Sequence, residues 1–181
     1  TEASAAAAPG APPLYDHVPG NVVLDFRYGD ADKVAEAFAK AAHVTTLNIR
    51  NNRVVVCAME PRSAIGEWDA AEGRYILRVG SQGVFGLRNQ MANDILKVPV
   101  EKVRILTGNV GGSFGMKASA YPEYTCVLHA AKVLGRPVKW TDERTGSFLS
   151  DCHGRDHETE ASLALDAEGK SLLAREEAFA V

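Results

Sequence analysis

The segment from Asn109 to Lys117, N-V-G-G-S-F-G-M-K, sets the tightest condition on how this chain can fold. It follows the apolar run Val103-Arg104-Ile105-Leu106, so an extended segment must end in a turn of glycines and a serine where backbone can approach another body closely. Phe114 breaks the run of small residues. A ring of that size in such a turn either plugs a packing corner or lies against a flat ligand. A plain glycine turn is the competing reading: the spacing is not the G-x-G-x-x-G of a dinucleotide site, and Ser113 is not read as the nucleophile elbow of a hydrolase.

The flanking sequence predicts elements of both kinds. Residues 1–13 are rich in Ala and Pro with almost no charge and read as a linker or lead-in. A strand is expected at Val22–Phe26, then a helix capped by Asp30 and reaching Ala42, with Val34, Ala35, Phe38 and Ala42 at helical spacing. Val44–Ile49 and Val54–Cys57 then read as two strands or one long bent one. Gly73 lies between two more, Ala64–Trp68 and Tyr75–Val79, which read as a hairpin closed by Ser81-Gln82. A helix over Val84–Leu96 stops at Pro99, and a strand over Glu101–Leu106 feeds the glycine segment. Tyr124–Leu134 is a helix ended by Gly135, Val138–Trp140 a strand, and the segments 158–165 and 171–179 a last hairpin. The elements interleave without a regular β-α-β beat, so the fold class is α+β with a mixed sheet and packed helices.

Composition narrows the function classes. With 46% hydrophobic residues and a net charge of -3, the chain can bury a core and carries no basic footprint for nucleic acid or an anionic membrane. No window approaches the roughly 20 apolar residues of a membrane span. Cys57, Cys126 and Cys152 are odd in number and far apart, which fits reduced thiols in a cytoplasmic protein. The start at Thr1 without Met and the apolar end at Val181 suggest a piece of something longer.

Individual polar residues give little by themselves. His153 and His157 would share a helix face as a metal pair, but Gly154 and strand-like surroundings favour polar loop residues. His43 and His129 read as partly buried packing residues, Glu60-Pro61-Arg62 as a charged turn, and Arg155-Asp156 as a surface pair. Gln82 stands at a strand end before a helix, where its amide either caps that helix or meets an oxygen ligand.

Order and spacing together say more. The blocks Met59-Glu60-Pro61-Arg62, Ser81-Gln82, Val110–Lys117, Tyr121-Pro122-Glu123, Leu134–Trp140 and His153-Gly154-Arg155-Asp156 resemble successive blocks of the large subunit of molybdenum hydroxylases, the family of xanthine dehydrogenase, aldehyde oxidase and carbon monoxide dehydrogenase. The resemblance covers nearly everything after the first dozen residues. It implies that residues 14–181 are the N-terminal portion of a molybdopterin-binding domain. Gly112, Ser113, Phe114 and Gly115 would approach the cofactor, a molybdopterin that in some members carries a cytosine dinucleotide. Gln82 would give its amide to an oxo ligand of molybdenum, with no residue here ligating the metal directly. Ser113 replaces a glycine usual in the motif.

The reaction implied is hydroxylation of a small-molecule carbon with oxygen from water, the electrons passing to iron–sulfur clusters and FAD on partner domains or subunits. The general-base glutamate of the family belongs to a later block, so no catalytic residue is expected in this chain, and the chain alone is expected to be inactive. Ala118 stands where purine-oxidising members carry a glutamate, which disfavours xanthine; aldehydes, N-heterocycles and carbon monoxide stay open, with an aldehyde-oxidase-like parent preferred. Two other readings remain: a binding or assembly module that keeps the fold without the cofactor, and a small hydrolase using one of the histidines.

Overall fold

A computed structural model describes residues 3–180 in backbone and 5–178 in side chain. In chain order its elements are α1 (Ala3–Ala6), α2 (Ala31–Lys40), β1 (His43–Asn51), β2 (Ser63–Asp69), β3 (Arg74–Val79), α3 (Val84–Asn89), β4 (Val103–Leu106), α4 (Pro122–Leu134), β5 (Val138–Thr141), α5 (Arg144–Ser150), β6 (His157–Leu165) and β7 (Ser171–Ala180). They form two compact units, one from Val55–Gly154 and the other from the chain before and after it.

The central unit holds a four-stranded sheet of order β4-β3-β2-β5. β3 pairs antiparallel with β2 and parallel with β4, so the sheet is mixed and the fold is α+β. The hairpin β2/β3 turns at Gly73, as the sequence indicates, with Asp69 opposite Arg74. β2 alternates partly exposed and buried positions at Ser63, Ala64, Ile65 and Gly66, and α4 lies against it. Contact is closest at Gly66, where an added Cβ would stand 2.6 Å from the Val127 carbonyl. Only glycine lets the helix backbone reach the strand there. Leu77, Leu87, Met91, Tyr124, Val127 and Leu128 close the core between sheet and helices.

The segment expected as one helix over Val84–Leu96 starts as α3 and widens into a π-helical turn at Gln90–Leu96. Lys97 ends it in the left-handed region and donates its N–H to the Ala92 carbonyl, five residues back. The Gln90 side-chain oxygen accepts a bond from the Ala120 N–H at 2.9 Å.

The second unit is a three-stranded antiparallel sheet, order β1-β6-β7, with α2 beside β7. Asp30 caps α2 by accepting from the Lys33 N–H at 3.1 Å, which holds its carboxyl below the ordinary range. Asn21 reaches back to the Ala6 and Pro12 carbonyls and accepts from the Leu14 N–H.

Several expectations fail in ways that physics explains. Val22–Phe26 forms no strand; Val23, Leu24 and Phe26 are 84%, 78% and 74% exposed. Apolar, β-branched composition suits a strand only where a neighbour supplies a ladder. Val54–Cys57 likewise makes no more than an isolated bridge, and the residues before Val103 form a 3-10 turn. His153 lies in a loop and His157 opens β6, so the two share no helix face. His43 and His129 are exposed, not partly buried. α5 was not foreseen, because Arg144–Ser150 contains a glycine and shows no helical apolar repeat.

Candidate cofactor site

β4 ends at Leu106, and the chain then runs through the glycine segment, which three sets of bonds fasten to the rest of the central unit. At its start, the Glu60 N–H donates to the Gly111 carbonyl at 3.0 Å and the Gly111 N–H returns a bond to Glu60 Oε2 at 2.9 Å. At its end, the fully buried Lys117 places its ammonium 2.7 Å from that same oxygen. The Lys117 bond, then the Gly111 bond, hold the Glu60 carboxyl below the ordinary carboxylate range. One carboxylate therefore pins both ends of the segment.

Gln82 supplies the third attachment. Its backbone N–H donates to the Lys117 carbonyl at 3.2 Å, and its side-chain Oε1 accepts from the Ser113 hydroxyl at 2.6 Å and from the Gly115 N–H at 2.8 Å. Ser81 shapes the strand end that carries it, accepting from the Gly83 N–H on its side chain. With its oxygen committed twice, Gln82 keeps both amide N–H donors without a partner among the described residues.

Between these anchors the backbone is forced into unusual shapes. Gly112 and Gly115 have φ of 99° and 94°, and Phe114 between them has φ 51°. A Cβ on Gly112 would stand 3.0 Å from the Phe114 ring and 3.3 Å from the Ala58 Cβ, so glycine is required on both counts. The turn projects Phe114 outward, 78% exposed, which removes the packing-plug reading of the ring. Among the described residues the N–H groups of Gly112, Ser113 and Phe114 bond to nothing. Successive free N–H groups, an unpaired amide and an exposed ring make a surface suited to an oxygen-rich, partly flat ligand. A molybdopterin fits that donor set.

A buried charge cluster braces the unit around Arg62. The guanidinium bonds Asp151 at 2.5 Å and Glu123 at 3.0 Å, stands 3.6 Å from Asp142, and lies 3.7 Å from the Tyr121 ring centroid. Burial alone would favour its neutral form, but the bonds to Glu123 and Asp151 outweigh that and raise its pKa. Burial tends to raise the Glu123 carboxyl, and Arg62 more than offsets it, leaving the group below its usual range. Tyr121, pushed well up by burial, donates to the Met116 carbonyl at 2.8 Å and accepts from the Cys152 N–H. Arg62 is therefore no simple turn residue; it ties Tyr121 and Glu123 at the start of α4 to Asp151 after α5. Arg155 and Asp156 do not pair with each other, since Asp156 bonds Arg53 at 2.7 Å.

The structure thus brings Gln82, Ser113 and Gly115 into direct contact, with Gly112 and Phe114 in the same turn. Glu60 and Arg62 lie in the block Met59–Arg62 and Lys117 ends the glycine segment, but nothing in the sequence alone marks any of them as part of the site. The one signal for Lys117 was that it is the only charge in Asn109–Lys117. Among the described residues no group of three or more His, Cys, Asp or Glu is placed to hold a metal ion, and no helix is long and apolar enough to cross a membrane.

A mixed sheet presents a glycine turn with unpaired N–H donors, and known proteins name the class of domain. The chain belongs to the family of molybdopterin cofactor-binding domains, whose profile matches residues 14–180. It is 37% identical over 152 residues to the 6-hydroxypseudooxynicotine dehydrogenase complex subunit gamma of Paenarthrobacter nicotinovorans, covering 84% of this chain and 18% of the relative. Against the carbon monoxide dehydrogenase large chain of Hydrogenophaga pseudoflava it is 32% identical over 149 residues, covering 81% and 18%. The fold superposes on carbon monoxide dehydrogenase from Oligotropha carboxidovorans with a TM-score of 0.73 at 31% identity, covering 84% of this chain and 19% of that one. The chain thus spans 18% of the length of the two curated relatives.

Proposed function

We propose that this chain forms one wall of the molybdopterin site in the large subunit of a molybdenum-dependent oxidoreductase. The observation that carries the reading is Gln82, whose side-chain oxygen is held by Ser113 and Gly115 so that its two N–H donors stay available beside the exposed Phe114. When bound, the cofactor supplies two-electron oxidation of a carbon centre with water as the oxygen source. The residues here bind and orient it: Gln82 offers neutral donors to the molybdenum centre, Gly112, Ser113 and Phe114 offer backbone N–H groups, and Phe114 lies beside the site. Glu60 and Lys117 fix the turn so that little order has to be gained on binding.

In this reading residues 14–181 are a portion of the cofactor-binding domain preceded by a lead-in. The remainder of the large subunit completes the site and contributes the general-base glutamate, while iron–sulfur and FAD subunits carry electrons away. The complex is cytoplasmic, and the isolated chain does not turn over substrate. The substrate is a small aldehyde, N-heterocycle or carbon monoxide. Ala118 speaks against xanthine, and the names of the relatives support carbon monoxide or 6-hydroxypseudooxynicotine as parent substrates.

Elemental analysis of the purified parent complex tests the proposal. About one molybdenum per large subunit is expected, with a changed metal-centre spectrum in Gln82→Ala. A native complex free of molybdenum and pterin would overturn the proposal.

A further inference from the structure

The serine that departs from the usual glycine of the motif has a definite place in the bonding. We infer that Ser113 is a positioning residue that fixes which end of the Gln82 amide faces the cofactor. The inference rests on the cofactor reading given above and assigns Ser113 a role through Gln82, besides any contact made by its own backbone.

The argument turns on how many bonds each atom can make. Ser113 Oγ accepts from the Lys117 N–H at 3.2 Å, so its own proton is free to be donated, and the oxygen 2.6 Å away is Gln82 Oε1. The Gly115 N–H supplies a second donor to the same oxygen at 2.8 Å. An amide rotated by a half turn would put its NH2 group against an N–H that can only donate, and the bond from Ser113 would have to reverse. Two donors converging on one atom thus select one of the two amide orientations. Glycine at this position would leave the Gly115 N–H as the sole selector, on a side chain that is otherwise exposed. The Ser113 bonds also span the turn, since Lys117 gives its carbonyl to the Gln82 N–H at 3.2 Å. Hydroxyl, amide and backbone therefore close one ring of hydrogen bonds around the base of the loop.

Ser113→Ala, Ser113→Thr and Gln82→Ala in the purified full-length complex test this, read by molybdenum content, the electron paramagnetic resonance spectrum of the partly reduced metal centre, and turnover. Ser113→Ala is expected to keep its molybdenum, broaden or shift the spectrum towards that of Gln82→Ala, and slow turnover about fivefold, the loss of one hydrogen bond. Ser113→Thr, which restores a hydroxyl, should recover the native spectrum. A native spectrum and rate in Ser113→Ala, with Gln82→Ala clearly changed, overturns the role of Ser113 while leaving the cofactor site intact. A spectrum unchanged in Gln82→Ala overturns the site reading and this inference with it. Molybdenum lost equally from Ser113→Ala and Ser113→Thr also overturns it, because the hydroxyl would then not be the group that matters.

Discussion

Leu77 in β3 is fully buried and Val79 beside it is 6% exposed, whereas every residue of β1 is exposed. Both strands carry β-branched and apolar side chains and both are paired. The difference is what covers them: α4 and the turns around it cover the central sheet, while the sheet β1-β6-β7 has α2 beside one edge strand and few buried residues, Ser162 and Ala164 in β6. A ladder of hydrogen bonds is thus enough to define register, as in the unbroken pairing from His43↔Leu165 to Asn51↔His157, but burial is what fixes a site. Gln82, the residue that carries the proposed cofactor site, is anchored to the buried unit.

The contrast is broken most directly at the charges. Arg62→Ala leaves Asp151, whose side chain is 0% exposed, without its cation, and should cost about 3–5 kcal/mol in denaturant unfolding. Arg53→Ala removes the Arg53–Asp156 pair in the other unit, where the arginine side chain is 48% exposed, and should cost under about 1 kcal/mol. Equal losses would mean that burial does not separate the two units. Next in size, Leu77→Ala should cost about 2–5 kcal/mol through the cavity it leaves. Leu47→Ala on β1, where the side chain is 59% exposed, should change the unfolding midpoint little.

Acid gives the smallest effect and sharpens the comparison. Glu60 and Glu123 both titrate below their ordinary 4.5 in the folded chain, so the fold holds their charge more strongly than the unfolded state does. Their contribution is complete above that value and is lost as pH falls through the lowered folded pKa. Thermal melts between neutral and acid pH should show the central unit losing stability in that window, and Glu60→Gln should flatten part of the slope. An unaltered slope in that variant would remove Glu60 as the clamp on the glycine segment.

Sequence made some of this legible and hid the rest for identifiable reasons. The hairpin at Gly73 and the stop of α4 at Gly135, whose φ is 63°, were readable because turn chemistry is local. Gln82 and the glycine segment were found as separate blocks, and the resemblance to molybdenum hydroxylases placed them together; the bonds joining them span 31 and 33 residues and left no trace in either block. Arg62 was misread as a turn residue because its partners Glu123 and Asp151 lie 61 and 89 residues away. The apolar stretch Val22–Phe26 failed in the opposite sense, carrying the local signal of a strand without a neighbour to pair with.

Phe114 carries a further consequence. An aromatic residue at φ 51° gives up about 1–2 kcal/mol that glycine would not, and its ring, being exposed, regains little of that from packing. On the proposed reading, in which Phe114 lies beside the cofactor, selection for thermal robustness and selection for function therefore pull in opposite directions at this position. A laboratory search that rewards only heat resistance would drift towards Gly or Asn at residue 114, and its winners would be sturdier proteins that have lost part of the proposed cofactor wall.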